Sequence, residues 1–208
     1  MQLFPRSLNK LPMLAAAVGG LIGPVVVAAV WYYVTPKNFQ VGYAPTQPVP
    51  YSHRLHAGQM GMDCRYCHAN VEKAAKAMIP ATQTCMGCHA VVKTDSAKLA
   101  LVRASFQSGK PVEWIHIHKL PDHAYFDHSA HVGAGVGCVT CHGRVDQMEV
   151  VRSHAPINMG WCMDCHRNPT PNLRPTDQVT NMTWTPDMAK NWAAPEVHPP
   201  QNCSGCHR

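Results

Sequence analysis

From Leu11 to Thr35 the chain reads LPMLAAAVGGLIGPVVVAAVWYYVT, without one charged residue. About 20 apolar residues cross the hydrocarbon core of a bilayer, so this run predicts a membrane-spanning helix over about residues 11–34, within an anchor of residues 1–35. It closes on Trp31, Tyr32 and Tyr33, side chains suited to the membrane–water interface. A cleaved signal peptide is the competing reading. Its apolar core has about 7–15 residues before a small-x-small site, whereas this run is longer and ends in aromatics. The sequence opens at Met1, and the segment is expected to stay in the mature chain. Gly19, Gly20 and Gly23 would admit a neighbouring helix, and Pro24 predicts a kink or a packing contact. Arg6 and Lys10 precede the run, which places the N-terminus on the cytoplasmic side and the rest of the chain outside.

Beyond residue 35 the hydrophobic pattern loses its period. Residues 36–50, PKNFQVGYAPTQPVP, read as a Pro-rich linker. Asp95 and Ser96 can cap a helix running to about Phe106, with Gly109 as its stop. Val112 to His118 reads as a short strand, and residues 168–202, rich in Pro and Asn, read as loop. No long amphipathic helix and no series of strands appears. The predicted fold is mostly irregular with short helices: one transmembrane helix, then a domain over residues 51–208.

Composition makes that domain hard to build from side chains alone. Of 208 residues, 14% are charged, 7% are aromatic and 18 are proline, too little apolar bulk for a normal core around so many loops. The ten cysteines point to a solution. All fall in five copies of C-x-x-C-H, numbered here as sites 1 to 5: Cys64/Cys67/His68, Cys85/Cys88/His89, Cys138/Cys141/His142, Cys162/Cys165/His166 and Cys203/Cys206/His207. Zinc ribbons need the cysteine pairs but not a histidine directly after each. A thioredoxin-like C-x-x-C occurs once, not five times. C-x-x-C-H is the attachment pattern of haem c, in which the thiols form thioethers to the porphyrin and the histidine ligates iron. Five covalent haems would supply the missing apolar bulk, and the domain should fold around them, as metal-dependent domains do around their metal.

The motifs sit in an internal repeat. Tyr51-Ser-His53-Arg-Leu-His56 precedes sites 1 and 2, and Phe126-Asp-His128-Ser-Ala-His131 precedes sites 3 and 4. The repeated dihaem unit, aromatic-x-H-x-x-H followed by two attachment motifs, spans residues 51–89 and 126–166, and site 5 closes the chain at 203–207. Two histidines at i and i+3 leave one helical turn on nearby but diverging faces. His53, His56, His128 and His131 can therefore supply the distal ligands of four irons. For the fifth, His118 is the first choice and Met159, three residues before Cys162, the main rival, since Met/His ligation also occurs and raises the potential. The plainer reading of Met159 is a core filler. His116, His154, His123 and His198 follow, in that order. With nine spare histidines every iron can be six-coordinate, which suits electron transfer and leaves no open position for a substrate. The chain is therefore expected not to be an enzyme by itself.

The formal charge is +6. About ten haem propionates would offset it, so Lys and Arg are expected mainly as propionate partners. No dense basic run exists, and nucleic-acid binding is not expected.

The motif Tyr51-x-His53-x-x-His56 ahead of Cys64-x-x-Cys67-His68 resembles class III multihaem cytochromes c, in which the first histidine of H-x-x-H ligates the next haem along and the second reaches another. The stretch Trp114 to His118-Lys-Leu-Pro-Asp, on through Tyr125-Phe126-x-His128-x-x-His131 to Met159-Gly-Trp-Cys162, together with the anchor and five sites, resembles the pentahaem cytochrome c subunits of alternative complex III. That resemblance implies a relay in a quinol-oxidising respiratory complex on the outer face of a bacterial inner membrane. Electrons would arrive through integral membrane quinol-binding subunits and an iron–sulfur subunit. They would leave through a monohaem cytochrome c toward a soluble carrier or terminal oxidase. Two other readings remain: a self-contained membrane quinol dehydrogenase, in which the first site would lie close to the helix, and a subunit feeding a periplasmic reductase.

Overall fold

The computed structural model describes residues 5–34 and 40–207, apart from the side chain of Arg6. Arg6's part in the charge argument, Thr35, and linker residues 36–39 lie outside the described residues. The chain divides into two units, Met1–Lys37 and Asn38–Arg208.

In the first unit a 3-10 turn, Arg6–Lys10, leads into helix α1, Leu11–Val34. At 1.5 Å per residue α1 is about 36 Å long, more than a hydrocarbon core of about 30 Å. Pro24 lies inside it and the helix continues on both sides. None of its described residues is buried, and a Cβ on Gly19, Gly20 or Gly23 would meet nothing within 4 Å. By length and composition α1 fits a membrane anchor or a signal sequence.

The second unit is helical and irregular, with no strand among the described residues. Its α-helices are α2 (Cys64–Cys67), α3 (Thr82–His89), α4 (Ala100–Ser108), α5 (His128–Gly133), α6 (Cys138–His142), α7 (Met159–Arg167) and α8 (Cys203–Cys206). A π-helical turn covers Arg54–Gln59. Helix α4 follows a 3-10 turn at Ala97–Leu99 and ends at Gly109, whose φ of 72° provides the left-handed stop that the sequence predicts. Residues 112–118 are not a strand. The backbone of Ile115 pairs instead with the side-chain amide of Gln47, in both directions, at 2.9 and 3.0 Å. A glutamine amide presents the same donor and acceptor as a peptide group and takes the partner's place. The described part of the Pro-rich segment, residues 40–50, is held on this unit: Gly42 and Tyr43 bond the backbone of Ser153, and Val49 is buried.

Only eight hydrophobic side chains are buried among the described residues: Val49, Val102, Ile117, Val132, Met148, Ala155, Leu173 and Val179. So few cannot close a core for a unit of this length. One seam is nevertheless tight. Residues 172–179 run beside the α5–α6 connection, with an isolated bridge between Val136 and Leu173 and bonds from Arg174 N–H to Gly135 C=O and from Cys138 N–H to Val179 C=O. Gly135 has φ 89°, and a Cβ there would collide with the carbonyl oxygen of Arg174. Gly135→Ala should therefore destabilise the holoprotein by about 1–3 kcal/mol, read as a lower denaturant midpoint at an unchanged m-value.

Candidate haem sites

Each attachment motif forms a short helix, and side-chain caps hold the helices of sites 1 and 4 and the second H-x-x-H turn. Asp63 accepts the N–H of Arg65 at the start of α2, Asn158 that of Trp161 in α7, and Asp127 that of Ser129 in α5. Asp63 also bonds the Arg65 guanidinium and the Thr180 hydroxyl, and its carboxyl is lowered to about 2, chiefly by Arg65.

The histidines carry the clearest signal. Seven donate or share Nδ1 with a backbone carbonyl: His56 with Ser52, His68 with Met78, His89 with Val92, His128 with Ala75, His131 with Asp127, His166 with Pro200 and His207 with His123, all at 2.7–3.0 Å. A proton held on Nδ1 leaves the Nε2 lone pair free and the ring oriented, the usual arrangement of metal-ligating imidazoles. Met78 takes the left-handed region, φ 63°, at the carbonyl that serves His68, a strained residue at a functional position. Burial keeps several rings neutral. It pushes His142 down to about 3, helped by His118, His128, His68 and His53, and His53 down to about 4, helped by His68 and His56.

Two rings that share one metal, with nitrogen–metal bonds of about 2 Å, have centroids roughly 6 Å apart. His56 and His89 are 6.2 Å apart, His128 and His142 6.4 Å, and His131 and His166 6.1 Å. In each pair one member comes from an H-x-x-H turn and the other from an attachment motif. His53, the remaining member of the first turn, lies near His68.

His118 does not lie across from His207. It packs edge-on against His142 at 4.5 Å, too close for an iron between them, and its Nε2 is buried with no hydrogen bond. The ring beside His207 is that of His123, at 5.6 Å and 29°. An isolated bridge from Ala124 to His207 and a bond from Tyr125 N–H to Cys206 C=O hold the two segments together. Met159 is exposed at the start of α7. His116, His154 and His198 are exposed as well, with the His154 ring lying over Gly143, φ 66°, where a Cβ would meet it at 2.5 Å.

The aromatic of the repeat has a job that its sequence position only hinted at. Tyr51 meets His53 edge-on at 4.8 Å and stacks on His56 at 4.5 Å; Phe126 meets His128 edge-on at 4.8 Å and stacks on His131 at 4.4 Å. One ring braces both imidazoles of its turn, twice over in the same geometry.

These residues fit haem better than a bare ion. Zinc needs four ligands converging within about 2.3 Å of one point, and among the described residues no three His, Cys, Asp or Glu side chains converge so. Arg174 adds a cation at the third site. It is buried against Gly137, one N–H goes to Asn181 C=O, and its buried Nε has no partner, as a site for a porphyrin carboxylate requires. Other arginines depart from the expected role: Arg54, Arg65 and Arg144 pair with Glu149, with Asp63 and Glu72, and with Asp146. Neighbouring carboxylates only two to seven residues away capture two of the three.

The fold and the sites define a multihaem cytochrome c of class III type. Residues 32–120 match the family model of class III cytochrome c, and residues 124–208 that of cytochrome c7 and related cytochromes c, one match for each dihaem unit. Cytochromes of these families carry covalently bound haem c. Over 175 residues the chain is 28% identical to the menaquinone reductase multiheme cytochrome c subunit of Nitratidesulfovibrio vulgaris, covering 78% of this chain and 77% of that one.

Phe126→Ala should alter the low-spin EPR signals of the two haems its turn serves, through reoriented imidazoles, and Phe126→Tyr should leave them unchanged.

Proposed function

We propose that the chain is a five-haem electron relay of a quinone-linked membrane complex, anchored by α1 with its N-terminus cytoplasmic and its haem domain on the periplasmic face. The observation that carries this reading is the set of H-x-x-H imidazoles spaced about 6 Å from attachment-motif imidazoles. Irons with two imidazoles are saturated, and saturated irons exchange electrons and do little else. Haem supplies the one-electron chemistry. The chain binds it through the ten cysteines, orients it through the carbonyl-held histidines and tunes it by burial.

The proposed ligand set pairs His53 with His68, His56 with His89, His128 with His142, and His131 with His166. For site 5 it takes His123 rather than His118 or Met159, because His123 is the ring beside His207. His118 then supports the proximal ring of site 3. The five-site count and the anchor favour the alternative complex III assignment, with electrons passing from quinol to a periplasmic cytochrome c. The relative's name supports a second reading, in which electrons pass through the chain to menaquinone.

Three measurements test this. Cys203→Ala/Cys206→Ala should lower the covalent haem content from five to four, and His123→Met should raise one midpoint potential while His118→Met leaves the number of His/His signals unchanged. Mild detergent extraction should yield this chain in a large assembly with iron–sulfur and polytopic subunits. A particle of this chain alone, reducible by quinol, would point to a self-contained quinol dehydrogenase instead.

A further inference from the structure

The five attachment motifs do not adjoin one another in the order of the chain. Site 1 meets site 2: the Tyr66 hydroxyl lies 4.0 Å from where a Cβ on Gly87 would stand, and Tyr51 braces the two histidines that face these sites. His56, from the turn that Tyr51 braces, faces His89 of site 2 at 6.2 Å.

Site 1 also meets site 3. Thr180, one residue past the carbonyl that holds Cys138 N–H, donates to Asp63 at 2.9 Å. His128 gives its Nδ1 proton to the Ala75 carbonyl, 53 residues away in the loop after site 1.

Site 3 meets site 4 through α5, whose two histidines face His142 and His166. Site 4 meets site 5 through the tail: His166 Nδ1 bonds the Pro200 carbonyl at 2.7 Å, and the Gln201 amide bonds the His166 carbonyl at 3.3 Å.

Each of these links joins two sites, and no site takes part in more than two. From this we infer that the motifs form a single file in the order 2–1–3–4–5, with sites 2 and 5 as the ports through which electrons enter and leave. This rests on the five-haem reading above. Exposure agrees with it: Cys88 of site 2 and Cys203 of site 5 are the two exposed cysteines of the ten, while the other eight are partly covered. Site 2 also presents Val91 and Val92, 81% and 50% exposed, directly after His89, an apolar rim of the kind transient redox partners use. The partners are one-electron carriers, an iron–sulfur or haem protein at each end. The donor is oxidised by one electron as the acceptor is reduced by one, with no bond made or broken. The consequence is that site 1, first in sequence, is an interior position, and that the joint between the two dihaem units lies between sites 1 and 3, where Thr180 meets Asp63 and His128 meets Ala75.

The test is the set of iron–iron separations in an experimental structure of the holoprotein, after its covalent haem has been counted. A count below five would sink the haem reading underneath. With five haems present, iron 1 should have irons 2 and 3 as its nearest neighbours, and the longest separation should be between irons 2 and 5. Iron 2 lying beside iron 3, with iron 1 at an end, would overturn the order alone. A second readout uses potentials. Raising the potential of an interior haem should displace the titrations of two neighbours, and raising that of a terminal haem only one. His53→Met should thus shift two other EPR-resolved titrations and His56→Met one. The reverse pattern would overturn the inference.

Discussion

The structure depends on the hydrogen bond between a histidine Nδ1 and a backbone carbonyl. A ligand imidazole must keep one nitrogen bare and its plane fixed, and a carbonyl on the other nitrogen does both. Here the acceptors lie up to 84 residues away, as in the bond from His207 to His123. These bonds therefore hold loops as well as rings. With only eight buried hydrophobic side chains among the described residues, the second unit relies on such ties, on caps and on its cofactors for what a hydrophobic core supplies elsewhere.

The duplicated unit is this constraint made twice. Tyr51 and Phe126 differ by a hydroxyl, yet each stacks on one imidazole and meets the other edge-on, within 0.1 Å of the same centroid distances. Their turns differ in backbone, π-helical at Arg54–Gln59 and α-helical at His128–Gly133. The aromatic clamp persists across that difference because it depends on the relation of ring to ring and not on the helix type. Burying the clamp also disfavours the charged imidazolium, as at His53 and His131, and the neutral ring is the form that binds metal.

Features confined to a few neighbouring residues were legible in the sequence. The five C-x-x-C-H motifs, the two H-x-x-H turns, α1 and the Gly109 stop are all of this kind. What depended on distant contacts was not. Residues 112–118 have the composition of a strand, but Gln47, 68 positions away, occupies their hydrogen bonds. His118 looked the better fifth ligand from its place ahead of the second H-x-x-H. The ring next to His207 is instead that of His123, set there by the bridge at Ala124, and no local pattern announces such a bridge. The link from Thr180 to Asp63, 117 positions apart, was equally hidden, because neither residue belongs to a recognisable motif.

A relay of this design has no built-in direction. In the proposed relay each site exchanges a single electron, and electron transfer between such sites is reversible. The direction of flow follows from the potentials of the partners at the two ends, which ligands, exposure and hydrogen bonds shift only within limits. Quinol oxidation and menaquinone reduction therefore require the same chain architecture. The resemblance to alternative complex III and the likeness to a menaquinone reductase subunit are therefore compatible, since the proposed relay would serve either direction. What separates the two is the carrier at the end of the file remote from the quinone, so the residues bearing on that difference are the exposed ones around the terminal sites, not the ligands themselves.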